Sequence, residues 1–116
     1  MDMLSAVSAF EALAHERRLS VFRLLVKAGP DGLNAGAIAE DLGALPNTMS
    51  SHLAKLSRAG IVTSERDGRH VIYRADFDAI GQLIVYLMED CCNGNVEVCT
   101  PVAASIAVRR PFSPAR

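Results

Sequence analysis

The chain has 116 residues, 50% of them hydrophobic and 22% charged, with 12 basic and 13 acidic side chains for a formal net charge of −1. That length suits one domain with a modest core. The opening MDMLSAVSAFEALAHERR carries charges inside its apolar periodicity and no long uncharged apolar run follows, so neither a membrane span nor a signal peptide fits; the expectation is a cytoplasmic protein with no membrane partner.

Leu4, Val7, Phe10 and Leu13 fall at helical spacing, and after the polar break His15-Glu16-Arg17-Arg18 the pattern resumes at Leu19, Phe22, Leu25 and Val26, predicting two helices in the first 28 residues. Gly29-Pro30-Asp31-Gly32 is a breaker cluster, and Asn34 is placed to cap a short helix carrying Ala37, Ile38 and Leu42 that Gly43 ends. Pro46 suits the first turn of the next helix, where Met49, Leu53 and Leu56 form an inner face and Gly60 marks the stop. The runs IVTSER and RHVIYR are strand-like and separated by Asp67-Gly68, which predicts a hairpin turning on those two residues. Asp76 then precedes a helix with the apolar stripe Phe77, Ile80, Ile84, Leu87 and Met88.

The predicted architecture is mainly α with a β-hairpin wing: a winged helix-turn-helix. Residues 1–99 are expected to form the domain and residues 100–116 a flexible tail. The charge distribution agrees in sign. Residues 46–74 carry five basic and two acidic side chains, whereas both flanking segments are net acidic. On the helix from Pro46, the inward set leaves Asn47, Thr48, Ser50, Ser51, Lys55 and Arg58 outward, small and polar first and basic later. Such a face suits a major groove, with cations where phosphates pass, though it is also what an ordinary solvated helix presents. Arg66, Arg69 and His70 around the hairpin tip add a basic finger, and the ordered pair of features favours DNA. His52 has two open readings, a core contact or a phosphate contact.

The run LPNTMSSHLAKLSRAGIVTSERDGRHVIYRAD resembles the arsenical-resistance repressor (ArsR/SmtB) family. The family's serine-histidine-leucine core stands at Ser51 to Leu53, followed by Leu56, Ala59-Gly60, Ile61-Val62 and the wing segment GRHVIYR. ALAHERRLSVFRLL, Ala12 to Leu25, is similar to the family's entry helix, and the likeness covers roughly residues 8 to 90. It implies a homodimeric repressor on double-stranded operator DNA with an inverted repeat, released by an effector. It also implies a dimer interface built by the first and last helices, here Leu4, Val7, Phe10, Phe77, Ile80, Ile84 and Leu87. Many members place a cysteine box at the start of the first helix of the helix-turn-helix. The corresponding DGLNAGAIAEDL has no cysteine, and the last helix lacks the Asp/His pairs of the family's zinc sensors.

All three cysteines lie in the tract EDCCNGNVEVC, as Cys91, Cys92 and Cys99. An odd number cannot close into a disulfide scaffold. Adjacent Cys91 and Cys92 would point about 100° apart on a helix, so both can reach one atom only if the chain unwinds, which Asn93-Gly94-Asn95 allows. Soft thiolates suit trivalent arsenic or antimony, which takes three sulfur ligands. Zinc, cadmium or lead stays open, with Glu89, Asp90 or Glu97 as a fourth ligand. A thiol-redox switch also stays open, although acidic neighbours favour the neutral thiol. Some arsenic-sensing members of the family carry a comparable pair and third cysteine, and the expected metalloid-binding set is therefore Cys91, Cys92 and Cys99. An arsenate reductase fits less well. There is no anion-cradling glycine loop, no arginine beside the cysteines and no Cys-x-x-Cys, and no enzymatic activity is expected.

Overall fold

The computed structural model describes residues 1–88. Its elements run α1 (Met3–Leu13), α2 (Glu16–Ala28), a 3-10 turn (Gly29–Asp31), β1 (Leu33–Asn34), α3 (Ala35–Leu42), α4 (Pro46–Arg58), β2 (Val62–Asp67), β3 (His70–Ala75) and α5 (Phe77–Met88). Met1–Leu83 form one compact unit, and a second begins at Ile84. Among the described residues no helix is long and apolar enough to cross a membrane.

Local chemistry sets most helix starts. Asp2 Oδ1 accepts from Ser5 N–H (2.8 Å), His15 Nδ1 from Arg17 N–H (3.1 Å), Asn34 Oδ1 from Ala37 N–H (2.8 Å) and Asp76 Oδ1 from Ala79 N–H (3.0 Å). Each satisfies one of the backbone donors that a helix leaves free at its start. Arg18 serves the opposite end of α1. Its Nε donates to Ala12 O at 2.6 Å, and a second guanidinium nitrogen reaches Glu11 O. Arg17 Nη1 donates to Leu42 O (2.8 Å), joining α2 to the end of α3. Gly43, left-handed at φ 63, stops α3 with its N–H returned to the last turn.

The core is built by α2, α3, α4 and the base of the wing: Val21, Phe22, Leu25, Ile38, Met49, Leu53, Leu56, Ile61 and Val62 are buried. One expected phase is corrected here, that of α2, and the buried side of α1 is defined. In α2 the inward residues are Val21, Phe22 and Leu25, and Leu19 is exposed. In α1 the buried face is Ala6, Ala9 and Ala12, whereas Leu4 is 80% exposed and Val7 and Phe10 also face outward. α1 packs on α2 and α4 through its alanines. Short side chains let the helix lie close, which leaves its bulky apolar stripe unburied within a single chain.

The sheet has three strands in the order β1-β3-β2, all antiparallel. β1 has no counterpart in the sequence pattern, because two residues carry no period. Asn34 is both its last residue, opposite Ile72, and the cap of α3. The hairpin is where the sequence predicts it, but its turn is one residue later. Asp67 pairs with His70, leaving Gly68-Arg69 as the loop with Gly68 at φ 64. Gly68 supplies the positive φ of the first loop position at no steric cost, and Asp67 stays in the ladder.

Candidate nucleic-acid interface

α3, the three residues Gly43-Ala44-Leu45 and α4 form the helix-turn-helix. α4 buries Met49, His52, Leu53 and Leu56 and exposes Asn47, Thr48, Ser50, Ser51, Lys55 and Arg58. Six of the seven residues of this helix proposed to meet DNA thus share its outer side. The small polar ones occupy the first turns, and Lys55 and Arg58 the last. In such helices the N-terminal residues reach base edges while later cations meet the backbone.

Arg66, Arg69 and His70 are exposed on the wing. The shifted turn changes their arrangement: Arg69 is in the loop itself, whereas Arg66 stands opposite Val71 and does not flank the tip. Arg74, the remaining cation of the basic middle segment, is committed elsewhere. Its Nη1 is 2.9 Å from Glu65 Oε1 and its Nε donates to Pro30 O at 2.7 Å, tying the wing to the 3-10 turn.

His52 is the one residue of the predicted DNA set that the fold turns away from the surface. It is 9% exposed, with its ring centroid 4.8 Å from that of His15, so its reading as a phosphate contact is corrected to a core contact. Burial pushes its imidazole below the usual range, and charge at His15, Arg18, Lys55 and Arg17 pushes the same way. A histidine whose folded-state value is depressed binds its proton more readily when unfolded. Its contribution is therefore intact above the unfolded value of about 6.5 and is lost as pH falls below it towards the folded value. The unfolding free energy from urea titration should fall more steeply between pH 7.5 and 5.5 in the native chain than in His52→Gln, by at most about 1.4 kcal/mol per pH unit. Parallel pH profiles would exclude this role for His52.

Of the residues expected at a dimer interface, Leu4, Val7, Phe10, Phe77, Ile84 and Leu87 are exposed and Ile80 is half-buried. Among the described residues no three His, Cys, Asp or Glu side chains are grouped to hold a metal ion, and Cys91, Cys92 and Cys99 lie outside those residues. Sequence reasoning passed over Leu45. It is 73% exposed immediately before the reading helix, and α4 has no side-chain cap. The signal was present as an apolar residue where a cap residue belongs.

Comparison with known proteins agrees with this geometry. A helix-turn-helix domain family matches residues 13–65. The chain is 30% identical over 98 residues to YbzH, an uncharacterized HTH-type transcriptional regulator of Bacillus subtilis (strain 168), covering 72% of this chain and 96% of that protein. Among solved structures, an ArsR-like transcriptional regulator from Rhodococcus sp. RHA1 superposes with a TM-score of 0.68 at 24% identity, covering 94% of this chain and 96% of the other, a likeness of fold. The homodimeric winged helix-turn-helix DNA-binding domain of Mb0332 from Mycobacterium bovis gives 0.61 at 25% identity, over 78% of this chain and 82% of that one. The AntR antimony-specific transcriptional repressor gives 0.56 at 28%, over 70% and 72%. With its wing, its polar reading helix and a relative matched over nearly its whole length, the chain belongs to the helix-turn-helix transcriptional regulators of the ArsR/SmtB type, which are DNA-binding proteins and not enzymes.

Proposed function

We propose that the protein is a homodimeric repressor that leaves its operator when trivalent arsenic or antimony binds the thiolates of Cys91, Cys92 and Cys99. The observation that carries this reading is the position of the cysteines. All three of the chain's thiols stand within nine residues, beginning three positions after Met88, the last residue of α5, and α3 offers none. Three soft sulfurs without a nearby histidine match the coordination of a trivalent metalloid better than that of zinc, which takes four ligands. Likeness to an antimony-specific repressor supports the same class of effector.

Asn47, Thr48, Ser50 and Ser51 face the bases in this reading, and Lys55, Arg58, Arg66, Arg69 and His70 the phosphates. The exposed apolar residues Leu4, Val7 and Phe10 of α1, with Phe77, Ile84 and Leu87 of α5, pack against a second copy. Ile80, half-buried in one chain, completes that set. Drawing three sulfurs onto one atom reshapes the end of the dimer helix and changes the spacing of the two reading heads. A coupling of about 1–3 kcal/mol, roughly 5- to 150-fold in affinity, is the usual range for such a switch.

The test is fluorescence anisotropy of the DNA upstream of the protein's own coding sequence, titrated in parallel with arsenite, antimonite, zinc, cadmium and peroxide. Arsenite or antimonite should release the DNA, and Cys99→Ser should need at least about tenfold more of it, because a two-sulfur site loses one of three bonds. Release of Cys99→Ser at the wild-type arsenite concentration would eliminate the three-sulfur site. Release by peroxide with reversal by reductant would favour a redox switch, and release by zinc or cadmium alone a divalent-metal sensor.

A further inference from the structure

We infer that Leu45 reads the 5-methyl group of a thymine in the operator, an inference that rests on the DNA-reading role of α4 proposed above. α1, α2, α3 and α5 each begin with a side chain that accepts a hydrogen bond from the first turn. α4 begins with Leu45, at φ −75 and ψ 144, in the same extended cap geometry with no side-chain acceptor. Leucine is among the poorest residues there. Nor does packing compensate, because Leu45 is 73% exposed. An apolar residue that staples a helix start stands one position earlier, where this chain has Ala44. The fold therefore carries an uncapped helix and an exposed leucine at the very end of the element whose N-terminal residues approach base edges.

Every other exposed side chain from Asn47 to Ser51 is polar, so Leu45 with Pro46 is a small apolar point on a hydrophilic tip. Two side chains fall far short of the roughly 800 Å² per partner that a stable protein interface buries. A neutral apolar group also has nothing to offer a phosphate. Of the groups that base edges present in the major groove, the thymine methyl is the apolar one. The chemistry of the tip selects it.

The test is anisotropy with full-length wild type, Leu45→Ala and Leu45→Ser on a duplex obtained by binding selection with the wild-type protein, and on copies in which single thymines are replaced by deoxyuridine. For wild type, at least one thymine per half-site should cost about fourfold in affinity when its methyl is removed, the equivalent of one buried methyl group. The same replacement should cost Leu45→Ser and Leu45→Ala nothing. Serine supplies the missing cap, so Leu45→Ser should unfold a few degrees higher (about 4 °C) while binding the thymine duplex more weakly. Deoxyuridine penalties that are equal in all three proteins would overturn the inference and leave the DNA-reading role intact. If wild type selected no duplex at all, the DNA-reading role of α4 would fail and this inference with it.

Discussion

Gly32→Ala is expected to lower stability by about 2–5 kcal/mol. Two separate effects coincide at this residue. Its φ of +67 is a conformation that side-chain-bearing residues avoid, at about 1–2 kcal/mol. In addition, a Cβ there would stand 2.5 Å from Tyr73 O, 2.7 Å from Arg74 Cγ and 2.8 Å from Ile72 Cγ2. The carbonyl has nowhere to go. Tyr73 lies in the central strand, paired with Leu33 on one side and Ser64 on the other, and retreat would break one ladder or the other. Relief by movement of residue 32 would instead pull Leu33-Asn34 off β3 and disturb the cap of α3. Gly68→Ala is the internal control, because Gly68 has φ +64 but nothing within 4 Å of where its Cβ would stand, so only the conformational cost of about 1–2 kcal/mol applies. In thermal unfolding the Gly32 variant should lose about 10 °C or more and the Gly68 variant about half that or less. Equal losses would mean that the contact with Tyr73 O is relieved at no cost.

The second large effect is expected from Lys55→Ala combined with Arg69→Ala, one cation from the outer face of α4 and one from the wing loop. Both are exposed, and neither has a hydrogen-bond or ion-pair partner in the described fold that would keep it from a phosphate. Each cation that neutralises a phosphate contributes close to one unit to the slope of log K against log salt concentration. For the homodimer proposed above, two substitutions in each copy should make the slope shallower by about four, and binding should weaken on specific and unrelated duplexes alike. Arg74→Ala is the comparison. Arg74 is engaged with Glu65 and Pro30, so its loss should alter stability more than salt slope. An unchanged slope in the Lys55/Arg69 variant would remove the outer face of α4 and the wing loop from the interface.

How much of this was legible in the sequence depends on the range of the interaction involved. Asn34, Asp76, Gly43 and Pro46 could be placed at helix ends because caps and stops act over three or four residues, within reach of a local pattern. The outward placement of Asn47, Thr48, Ser50, Ser51, Lys55 and Arg58 follows from helical phase once Met49, Leu53 and Leu56 form the inner face. The two-residue strand β1 exists only because β3 lies beside it. The turn at Gly68-Arg69 differs from the predicted one by a single position, because a type of turn can be recognised from composition while its register is decided by the whole ladder.

The sequence by itself determined the order of elements, the winged helix-turn-helix class, the basic and polar character of the reading helix, and the confinement of all thiols to Cys91, Cys92 and Cys99. These follow from composition and short-range spacing. The tertiary structure alone decided which apolar stripes are satisfied within one chain. It placed Ala6, Ala9 and Ala12 inside and Leu4, Val7 and Phe10 outside, turned His52 inward against His15, and left Leu45 exposed at the tip of α4. The physical reason is that periodicity identifies an apolar face but not its partner. Close packing of helices favours the small alanine face, and the larger stripe is left for another surface to bury.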